Sequence, residues 1–251
     1  MSGIGTGYDL SVTTYSPDGK VFQTEYAQKA VDSGNTVIGL RCKDGVVLAV
    51  EKPVMSKLYV EDSSRRIFNV DKHIGAVVAG LVPDGRVLVA RALEEASSYK
   101  RFYGEPIPSQ VLSDRLAHYA HLFNLYWSYR PFGNVILLAA YDEGKEPSLY
   151  SVDPAGNCLK FFGTAVGKAR QAAKNEIEKL KLTEMTCREA VIEAVKILHK
   201  IQDEDNTRPF QVEVSWICEE TGRIHKRIPD ELKEEAERAA KAALEDSDMD
   251  D

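Results

Sequence analysis

Two histidines have the spacing that could hold a metal ion. His118 and His121 lie three residues apart in a segment with helical periodicity, so both side chains belong to one side of that helix. A zinc site needs at least a third protein ligand, and the sequence offers none of matching spacing close by. We therefore expect ordinary helix-surface histidines, no metal and no cofactor.

The four cysteines are the other candidates for reactive groups. They lie far apart, with no Cys-x-x-Cys spacing and no neighbouring histidine: Cys42, Cys158, Cys187 and Cys218. Neither a zinc knuckle nor a dense disulfide framework is therefore expected. This usage is typical of a reducing compartment, so we expect the cytoplasm and the nucleus as the protein's location.

Charge limits the classes of partner. The 251 residues include 32 Lys and Arg against 39 Asp and Glu, a net charge of −7, and residues 229–251 alone account for that whole excess. Residues 1–228 balance to zero and contain no basic block, so no nucleic acid is expected.

The longest apolar runs fall far short of the roughly 20 residues that span a bilayer, so neither a membrane span nor a secretory signal is expected.

One residue in the acidic C-terminal segment could be modified. Ser247 precedes Asp248 and Asp250, a pattern similar to the sites of acidophilic casein-type kinases. Two interpretations stay open: a phosphorylation site, which would add negative charge to an already anionic segment, or a tail that only aids solubility.

Hydrophobic periodicity predicts the elements that must position these groups. The Lys43-Asp44-Gly45 turn joins the first two strands, and Thr186 with Glu189 forms a capping box. Strands are predicted at 36–41, 46–51, 67–70, 74–79, 134–141, 149–152, 158–163, 210–217 and 224–228, and helices at 20–31, 86–99, 109–127, 167–180 and 186–202.

Blocks of strands alternate with blocks of helices, which favours segregated layers. We predict an α+β fold: a four-layer α/β/β/α sandwich of two antiparallel sheets between helix pairs. The predicted organisation is an arm at 1–12, a sandwich domain at 13–228, a C-terminal helix at 229–244 and a disordered acidic tail at 245–251.

A family resemblance begins at the N-terminus. Gly7-Tyr8-Asp9 and the run from Tyr15-Ser16-Pro17-Asp18-Gly19 to Glu25-Tyr26-Ala27 closely resemble the N-terminal signature of proteasome α-subunits. The resemblance covers nearly everything before the acidic tail, through Gly39, Lys43–Val47, Gly80–Val82, Arg130–Gly133, Asp153–Gly156 and Gly167–Ala169. It implies the Ntn-hydrolase sandwich. Residues 4–10, 168–179 and 185–188 and the acidic C-terminus resemble one eukaryotic branch of the family.

The resemblance also bears on catalysis. Proteasome β-subunits share the fold and use a processed N-terminal threonine, whose free amine serves as base for its own hydroxyl. By this resemblance Asn35 stands at the nucleophile's position, Glu51 at that of an aspartate and Arg66 at that of the catalytic lysine. We expect no catalytic residue and no peptidase activity, within a threonine-type endopeptidase complex.

Three roles are implied instead, in support of ubiquitin- and ATP-dependent protein degradation. Phe22 and Tyr26 would contact a neighbour in the ring, and a cluster of Tyr8, Asp9, Pro17 and Tyr26 would order the gate arm. Leu10 stands where family members usually have arginine.

The third role is docking of activators. Pro17, Arg66 and Gly80 would line a pocket that receives an activator's C-terminal tail, with the arginine meeting the tail carboxylate. The implied partners are other α-subunits in a seven-membered ring, β-subunits, and the regulatory particle or other activators.

Two alternatives remain open on the sequence. A self-processing hydrolase of the same fold would lose its N-terminal extension, whereas a ring subunit keeps it. A free scaffold that binds proteins through its acidic tail would stay monomeric or dimeric.

Overall fold

Two antiparallel sheets form the centre of the structure, a computed structural model that describes residues 7–60, 63–203 and 209–249. In chain order the elements are α1 (Phe22–Asp32), β1 (Val37–Arg41), β2 (Gly45–Pro53), β3 (Ile67–Asp71), β4 (Ile74–Gly80), α2 (Val82–Tyr103), α3 (Ser109–Leu122), β5 (Asn134–Ala140), β6 (Ser148–Val152), β7 (Cys158–Phe161), β8 (Gly163–Val166), α4 (Arg170–Ile177), α5 (Cys187–Asp203), β9 (Phe210–Cys218), β10 (Lys226–Arg227) and α6 (Asp230–Met249).

Helices cover the outer face of each sheet. α2 and α3 pack on the sheet of strand order β3-β4-β5-β6-β7. α4 and α5 pack on the sheet of order β10-β9-β2-β1-β8, and α6 packs against α5. An apolar layer between the sheets includes Val46, Leu48, Val77, Leu137 and Leu149. The predicted four-layer α+β sandwich is confirmed, and because both faces are covered, β5 is buried at every position.

The sheet that contains β2 is built from distant parts of the chain. β2 pairs with β9 along its whole length, from Gly45 opposite Cys218 to Pro53 opposite Phe210. On the other side of β2, β1 pairs with both β2 and β8. The start of β1, where α1 arrives, therefore lies beside the end of β8.

The predicted capping box of α5 is confirmed. Glu189 Oε2 accepts the backbone N–H and the hydroxyl of Thr186, each at 2.8 Å, and the Thr186 hydroxyl accepts the backbone N–H of Glu189. These bonds satisfy amide groups that the first helical turn leaves without an intrahelical partner.

α2 begins at Val82, four residues before the predicted start at Arg86. Pro83 lies in the first turn, where its missing N–H costs nothing. Gly85 lies inside the helix because a Cβ there would overlap Cγ1 of Val78, so glycine allows α2 to approach β4 closely. Packing, rather than local turn preference, determines this boundary.

α3 ends at Leu122, whereas the aromatic spacing predicted a helix to Trp127. After the helix, the Asn124 side-chain amide donates to the Pro154 carbonyl oxygen at 2.9 Å, and Phe123 packs on Phe132 with ring centroids 4.4 Å apart. The periodic aromatics beyond Leu122 therefore belong to a connecting segment in which Trp127 is 80% exposed.

The run predicted as one strand at 158–163 is two strands in different sheets. β7 ends at Phe161, and β8 begins at Gly163 in the opposite sheet. A Cβ at Gly163 would come within 2.8 Å of the Ile177 and Leu182 side chains, so glycine allows the crossing close to α4.

The chain's C-terminal segment also differs from its prediction. α6 continues to Met249, whereas the helix was predicted to end at 244 before a disordered tail. No glycine or proline follows Leu244, so the sequence contains no strong stop signal. Residues 250–251 of the predicted tail lie outside the described residues.

Candidate functional site

Side-chain hydrogen bonds join α1 to the segment before it. The Tyr26 hydroxyl donates to Asp9 Oδ2 across 3.3 Å, and the Gln23 side-chain amide donates to the Asp9 carbonyl oxygen. Desolvation and the Asp9 carboxylate raise the pKa of Tyr26, so the phenol remains a donor at neutral pH. Asp9 is anchored to α1 through both its side chain and its backbone.

The contacts bring together two of the four residues predicted to order the arm. Tyr8, whose side chain is 43% exposed, and Pro17 contribute no hydrogen bond to the pair formed by Asp9 and Tyr26. Residues 1–6 of the predicted arm lie outside the part of the chain that the structure describes.

Pro17 lies in a tight turn directly before α1. The Gly19 N–H donates to the Ser16 carbonyl oxygen at 2.9 Å, and the Ser16 N–H donates to the Lys20 carbonyl oxygen at 2.9 Å. Gly19 has φ of 74°, a conformation that glycine adopts without strain. The turn fixes the direction in which the N-terminal segment leaves the helix.

The two predicted ring-interface residues stack on each other. The ring centroids of Phe22 and Tyr26 are 6.1 Å apart at 23°, and the Lys29 ammonium lies 5.6 Å from the Tyr26 centroid. Both rings are half-buried, whereas Ala27 and Val31 form the fully buried face of α1. The aromatic pair is therefore apolar surface that this chain's own core covers only in part.

Arg66 lies directly before β3 and is held at its backbone. Its N–H donates to Glu213 Oε2 across 3.1 Å, and its carbonyl accepts the Val78 N–H at 3.1 Å. Burial lowers the pKa of Arg66, while the Glu213 charge acts in the opposite direction and Arg86 adds to the lowering. Because a guanidinium starts from so high a pKa, Arg66 stays charged at neutral pH.

Glu213 is the residue that anchors this neighbourhood, and sequence reasoning missed it. Its side chain is 7% exposed and lies 3.5 Å from Lys52 Nζ and 3.5 Å from an Arg227 nitrogen. The carboxylate thus links β2, β10 and the segment before β3. A glutamate in an alternating strand gave no signal of this role.

Gly80 ends β4 in a conformation reserved for glycine. Its φ is 93°, and a Cβ there would overlap the carbonyl oxygen of Gly133. The same imagined Cβ would lie 3.2 Å from Val31 Cα, so Gly80 packs against the C-terminal end of α1. This close approach fixes α1 on the end of the second sheet.

Two of the three predicted tail-pocket residues share one neighbourhood. Arg66 is hydrogen-bonded to Val78, and Gly80 lies two residues further along the same strand, about 7 Å from Val78. Pro17 precedes the opposite end of α1, a helix of 11 residues that is about 16 Å long. One chain therefore brings Arg66 and Gly80 together and places Pro17 apart from them.

A cavity of about 250 Å³ opens at the start of β1, where the resemblance places the nucleophile. Asn35, Thr36, Glu51 and Lys168 are among its lining residues. Thr36 is 1% exposed, and its hydroxyl accepts the Ala169 N–H at 3.3 Å. Asn35, at the nucleophile's position, supplies an amide rather than a hydroxyl.

The three positions aligned with β-subunit catalytic residues do not converge. Asn35 and Glu51 share the cavity, whereas Arg66 is not among the described residues that line it. Arg66 is held instead by its backbone bonds to Glu213 and Val78. Threonine-type hydrolysis requires a hydroxyl with a free amine beside it, and Asn35 at the aligned position has no hydroxyl.

Another structural feature that the sequence did not reveal is a charged pair at the start of α2. Asp84 accepts two hydrogen bonds from the Arg130 guanidinium and one from the Gly133 N–H at 2.9 Å. These hydrogen bonds, that of Arg130 foremost, lower the pKa of Asp84 although burial opposes them. The pair ties α2 to the segment before β5, which in turn contacts Gly80.

The remaining predicted residues have ordinary surroundings or lie outside the description. Nδ1 of His118 is 2.9 Å from the Asp114 carbonyl oxygen, and Nδ1 of His121 is 3.1 Å from that of Ala155. Among residues 7–60, 63–203 and 209–249, no cluster of three or more His, Cys, Asp or Glu side chains could hold a metal. Ser247 lies in α6, with its side chain outside the described residues.

The helices also bear on membrane insertion. Across the described segments, none of them combines the length and the apolar character that crossing a membrane requires.

Comparison with family models finds two adjoining matches. A model described as proteasome subunit matches residues 31–217, and a model of the N-terminal signature of A-type proteasome subunits matches residues 8–30. The boundary between the two falls at the end of α1, so the signature covers the turn, the Asp9–Tyr26 pair and the aromatic stack described above.

Curated relatives match along the whole chain. The chain is 56% identical over 250 residues to "Proteasome subunit alpha type-3" of Arabidopsis thaliana, with 100% of each sequence covered. It is 54% identical to the protein of the same name from Acanthamoeba castellanii, covering 97% of this chain and 96% of that one. A "Probable proteasome subunit alpha type-7" of Saccharomyces cerevisiae is 45% identical, covering 94% of this chain and 83% of that one.

Proposed function

The chain belongs to the proteasome subunit family and is a structural α-ring subunit of the 20S core particle, and from that premise we propose that it is itself non-catalytic. The observation that carries this proposal is the packing of the segment before β1: Val31 of α1 is fully buried, and the Gly34 carbonyl oxygen accepts the Lys168 N–H at 2.9 Å. A nucleophile at this place would need a new N-terminus, which would remove α1 with its anchoring of Asp9.

A gating role is proposed for the N-terminal arm, residues 1–12. The hydrogen bonds from Tyr26 and Gln23 to Asp9 support it, because they give the arm a defined attachment on α1. Residues Tyr8 and Pro17 complete the proposed ordering cluster with Asp9 and Tyr26. The two hydrogen bonds at Asp9 can break and re-form at small energetic cost, as the switching of a gate requires.

The proposed ring contact is the stacked pair of Phe22 and Tyr26. Their half-buried rings leave apolar area on the outer side of α1 while Ala27 and Val31 face the chain's own core. Aromatic side chains of this kind are enriched at stable interfaces because they bury large areas. We assign the pair to contact with an adjacent α-subunit.

Docking of an activator's C-terminal tail is proposed at Arg66 and Gly80, with Pro17 completing the pocket. The Arg66 backbone is fixed by Glu213 and Val78, so its guanidinium starts from a defined position. A guanidinium can bind a carboxylate with two parallel hydrogen bonds. The separation of Pro17 along α1 agrees with a pocket that lies between subunits rather than within one chain.

The chain assembles with other proteasome subunits. We propose that its partners are α-subunits in a seven-membered ring, β-subunits, and the regulatory particle or other activators. We further propose that it works in the cytoplasm and the nucleus and that Ser247 is a phosphorylation site.

Native mass spectrometry of the tagged chain, isolated from its own cells, tests the proposal. We expect a large assembly that releases many different chains of similar size, with this chain at its full 27.9 kDa plus the tag. A small homo-oligomer that has lost its first 34 residues would contradict the proposal and favour a self-processing hydrolase. An uncleaved monomer or dimer would favour a free scaffold.

A further inference from the structure

Three cysteines meet at one end of the sheet that contains β2. The Cys42 N–H donates to the Gly45 carbonyl oxygen at 2.8 Å, and Cys218 stands opposite Gly45 in the register of β2 and β9. Cys42, Gly45 and Cys218 therefore form a row across three neighbouring strands. A Cβ at Gly45, the middle residue of the row, would come within 2.7 Å of the Cys218 Cβ, so glycine allows the strands to pack closely here.

Cys187 reaches both thiols from the start of α5. Its backbone N–H donates to Asp44 Oδ1 at 2.8 Å, and the Asp44 carbonyl oxygen accepts the Glu219 N–H at 3.0 Å, so the start of α5 lies beside the turn after Cys42 and the end of β9. The three cysteines belong to the core between this sheet and its helices, and none is more than 3% exposed.

The register determines which pairs can be linked. Neighbouring strands are about 4.8 Å apart, so Cys42 and Cys218, two strands apart, are separated by roughly 9.5 Å. A disulfide needs Cα atoms closer than about 7 Å. Cys42 and Cys218 are therefore too far apart to bond to each other, and Cys187 is the common neighbour of both.

The thiols differ in acidity. The hydrogen bond from Cys187, with further bonds from Thr221 and the Glu220 backbone, lowers the pKa of Cys218 to about 7. The bonds to Cys218 and Cys42, together with burial and the Asp44 charge, raise the pKa of Cys187. A helix N-terminus ordinarily lowers a thiol's pKa, and the Asp44 carboxylate offsets that effect here. Cys218 is the better nucleophile of the two.

We propose that Cys218 and Cys187 form an oxidative modification site, at which a peroxide converts the two thiols into a disulfide that joins β9 to the start of α5. The Cys218 thiolate attacks one oxygen of hydrogen peroxide and the O–O bond breaks, which gives a sulfenic acid and a hydroxide. The hydroxide takes up the proton that the thiol released and becomes one water. The Cys187 sulfur then attacks the Cys218 sulfur. The S–S bond forms as the hydroxyl leaves with the Cys187 proton as a second water.

The surroundings favour this product over other outcomes. Cys218 is the last residue of β9 and adjoins the exposed residues Glu219 and Glu220, so an oxidant as small as a peroxide has only a short way to travel from solvent.

The structure offers Cys158 as an internal control. It lies on β7 in the other sheet, and burial raises its pKa.

The test uses the assembled core particle with hydrogen peroxide as the oxidant. After denaturation and alkylation with N-ethylmaleimide, a non-reducing tryptic digest should contain peptide 182–188 linked to peptide 201–223. Two thiols per chain should lose their alkylation, and dithiothreitol should restore them. Full alkylation of Cys42, Cys187 and Cys218, while free cysteine in the same sample is oxidised, would overturn the proposal.

Variants in the assembled particle test the shared role of Cys187. Cys187→Ser should abolish every intrachain link, and Cys218→Ser should move the link to Cys42. A link between Cys42 and Cys218 in the unaltered chain would overturn the geometry proposed here. Since the unaltered chain alone distinguishes these outcomes, a variant that fails to assemble does not decide the result.

Discussion

Arg130 donates through both terminal nitrogens of its guanidinium to Asp84, Nη1 to Oδ2 at 2.5 Å and Nη2 to Oδ1 at 2.8 Å. Asp84 Oδ2 also accepts the Gly133 N–H. The pair joins residues 46 positions apart at the junction of α2, β4 and β5, beside Gly80. Planar two-point pairing of this kind fixes geometry as well as charge.

Asp84→Asn should destabilise the chain by about 1–3 kcal/mol, because a mostly buried acceptor loses its charge and one of its oxygens. Urea unfolding measures this as a lower midpoint with an unchanged slope. Glu220→Gln is the matched control, since Glu220 forms a similar two-point pair with Arg188 at the surface. An exposed pair of this kind contributes little. Equal midpoints for the two variants would contradict the prediction.

Acid should weaken the fold through His225. This ring lies between the Asn69 oxygen at 2.5 Å and the Ser215 hydroxyl at 2.8 Å, and burial lowers its pKa from 6.5 to about 4. The unfolded chain binds the proton more tightly, so stability is complete above pH 6.5 and falls as the pH drops toward 4. The full loss is on the order of 3 kcal/mol.

The measurement for His225 is the urea midpoint at pH 7.5 and at pH 5. His225→Gln should lower stability at pH 7.5 and reduce the difference between the two midpoints. His118→Gln, at an exposed position, should leave that difference unchanged. An unaltered pH dependence in His225→Gln would show that other groups are responsible.

Tyr26→Phe should weaken the attachment of the arm without changing the fold, because only the hydroxyl that donates to Asp9 is lost. In reconstituted core particles we expect activator-stimulated hydrolysis of short fluorogenic peptides to fall by a factor of roughly 2 to 10. Tyr15→Phe, at a residue 71% exposed, is the control. Identical stimulation in both variants would argue against a gate role for the pair.

Arg66→Gln should weaken binding of an activator-tail peptide by roughly 10- to 100-fold, because the charge that meets the carboxylate is lost. Arg66→Lys should retain part of the affinity, since it keeps the charge but loses the two-point geometry. Fluorescence anisotropy with a labelled peptide on the assembled particle measures both. Arg65→Gln is the neighbouring control, and an equal loss there would point to general charge rather than a pocket.

Gly85→Ala should destabilise the chain although alanine favours helices. Helix propensity alone would stabilise by about 1 kcal/mol, but the added methyl would overlap Val78 and overpack the contact between α2 and β4. We expect a net loss of roughly 1–2 kcal/mol in urea unfolding. Ser97→Ala, at an exposed position of α2, should change the midpoint little.

Sequence patterns predicted those parts of the fold that contacts between nearby residues determine. In the capping box of Thr186 and Glu189, and in the hairpin at Lys43-Asp44-Gly45, the interacting residues are only a few positions apart. The sequence therefore displays both partners of each interaction. The layer architecture followed from the order of such elements. The predicted ends of helices and strands were wrong where a contact with a distant residue determines them. Examples are the contact of Gly85 with Val78 and that of Gly163 with α4.

The candidate site was predicted in the same uneven way. A matching motif identified Asp9 and Tyr26 because the signature is continuous along the chain, and the structure joins them. It gave no indication of Glu213, which lies 147 residues from Arg66, or of the pairing of Asp84 with Arg130. Such pairs depend on which strands become neighbours, and no local pattern encodes that.

The strand orders imply a sequence of events while the chain is being synthesised. The sheet from β3 to β7 pairs each strand with the next one along the chain, so it can form as soon as residue 161 has emerged. β1 and β2 wait longer, because Val37 pairs with Val166 and Gly45 with Cys218. Non-local pairing of this kind is slow. Until β9 leaves the ribosome, the nascent chain exposes an apolar, unpaired edge of β2, and shielding that edge is the task this topology sets for the folding machinery of the cell.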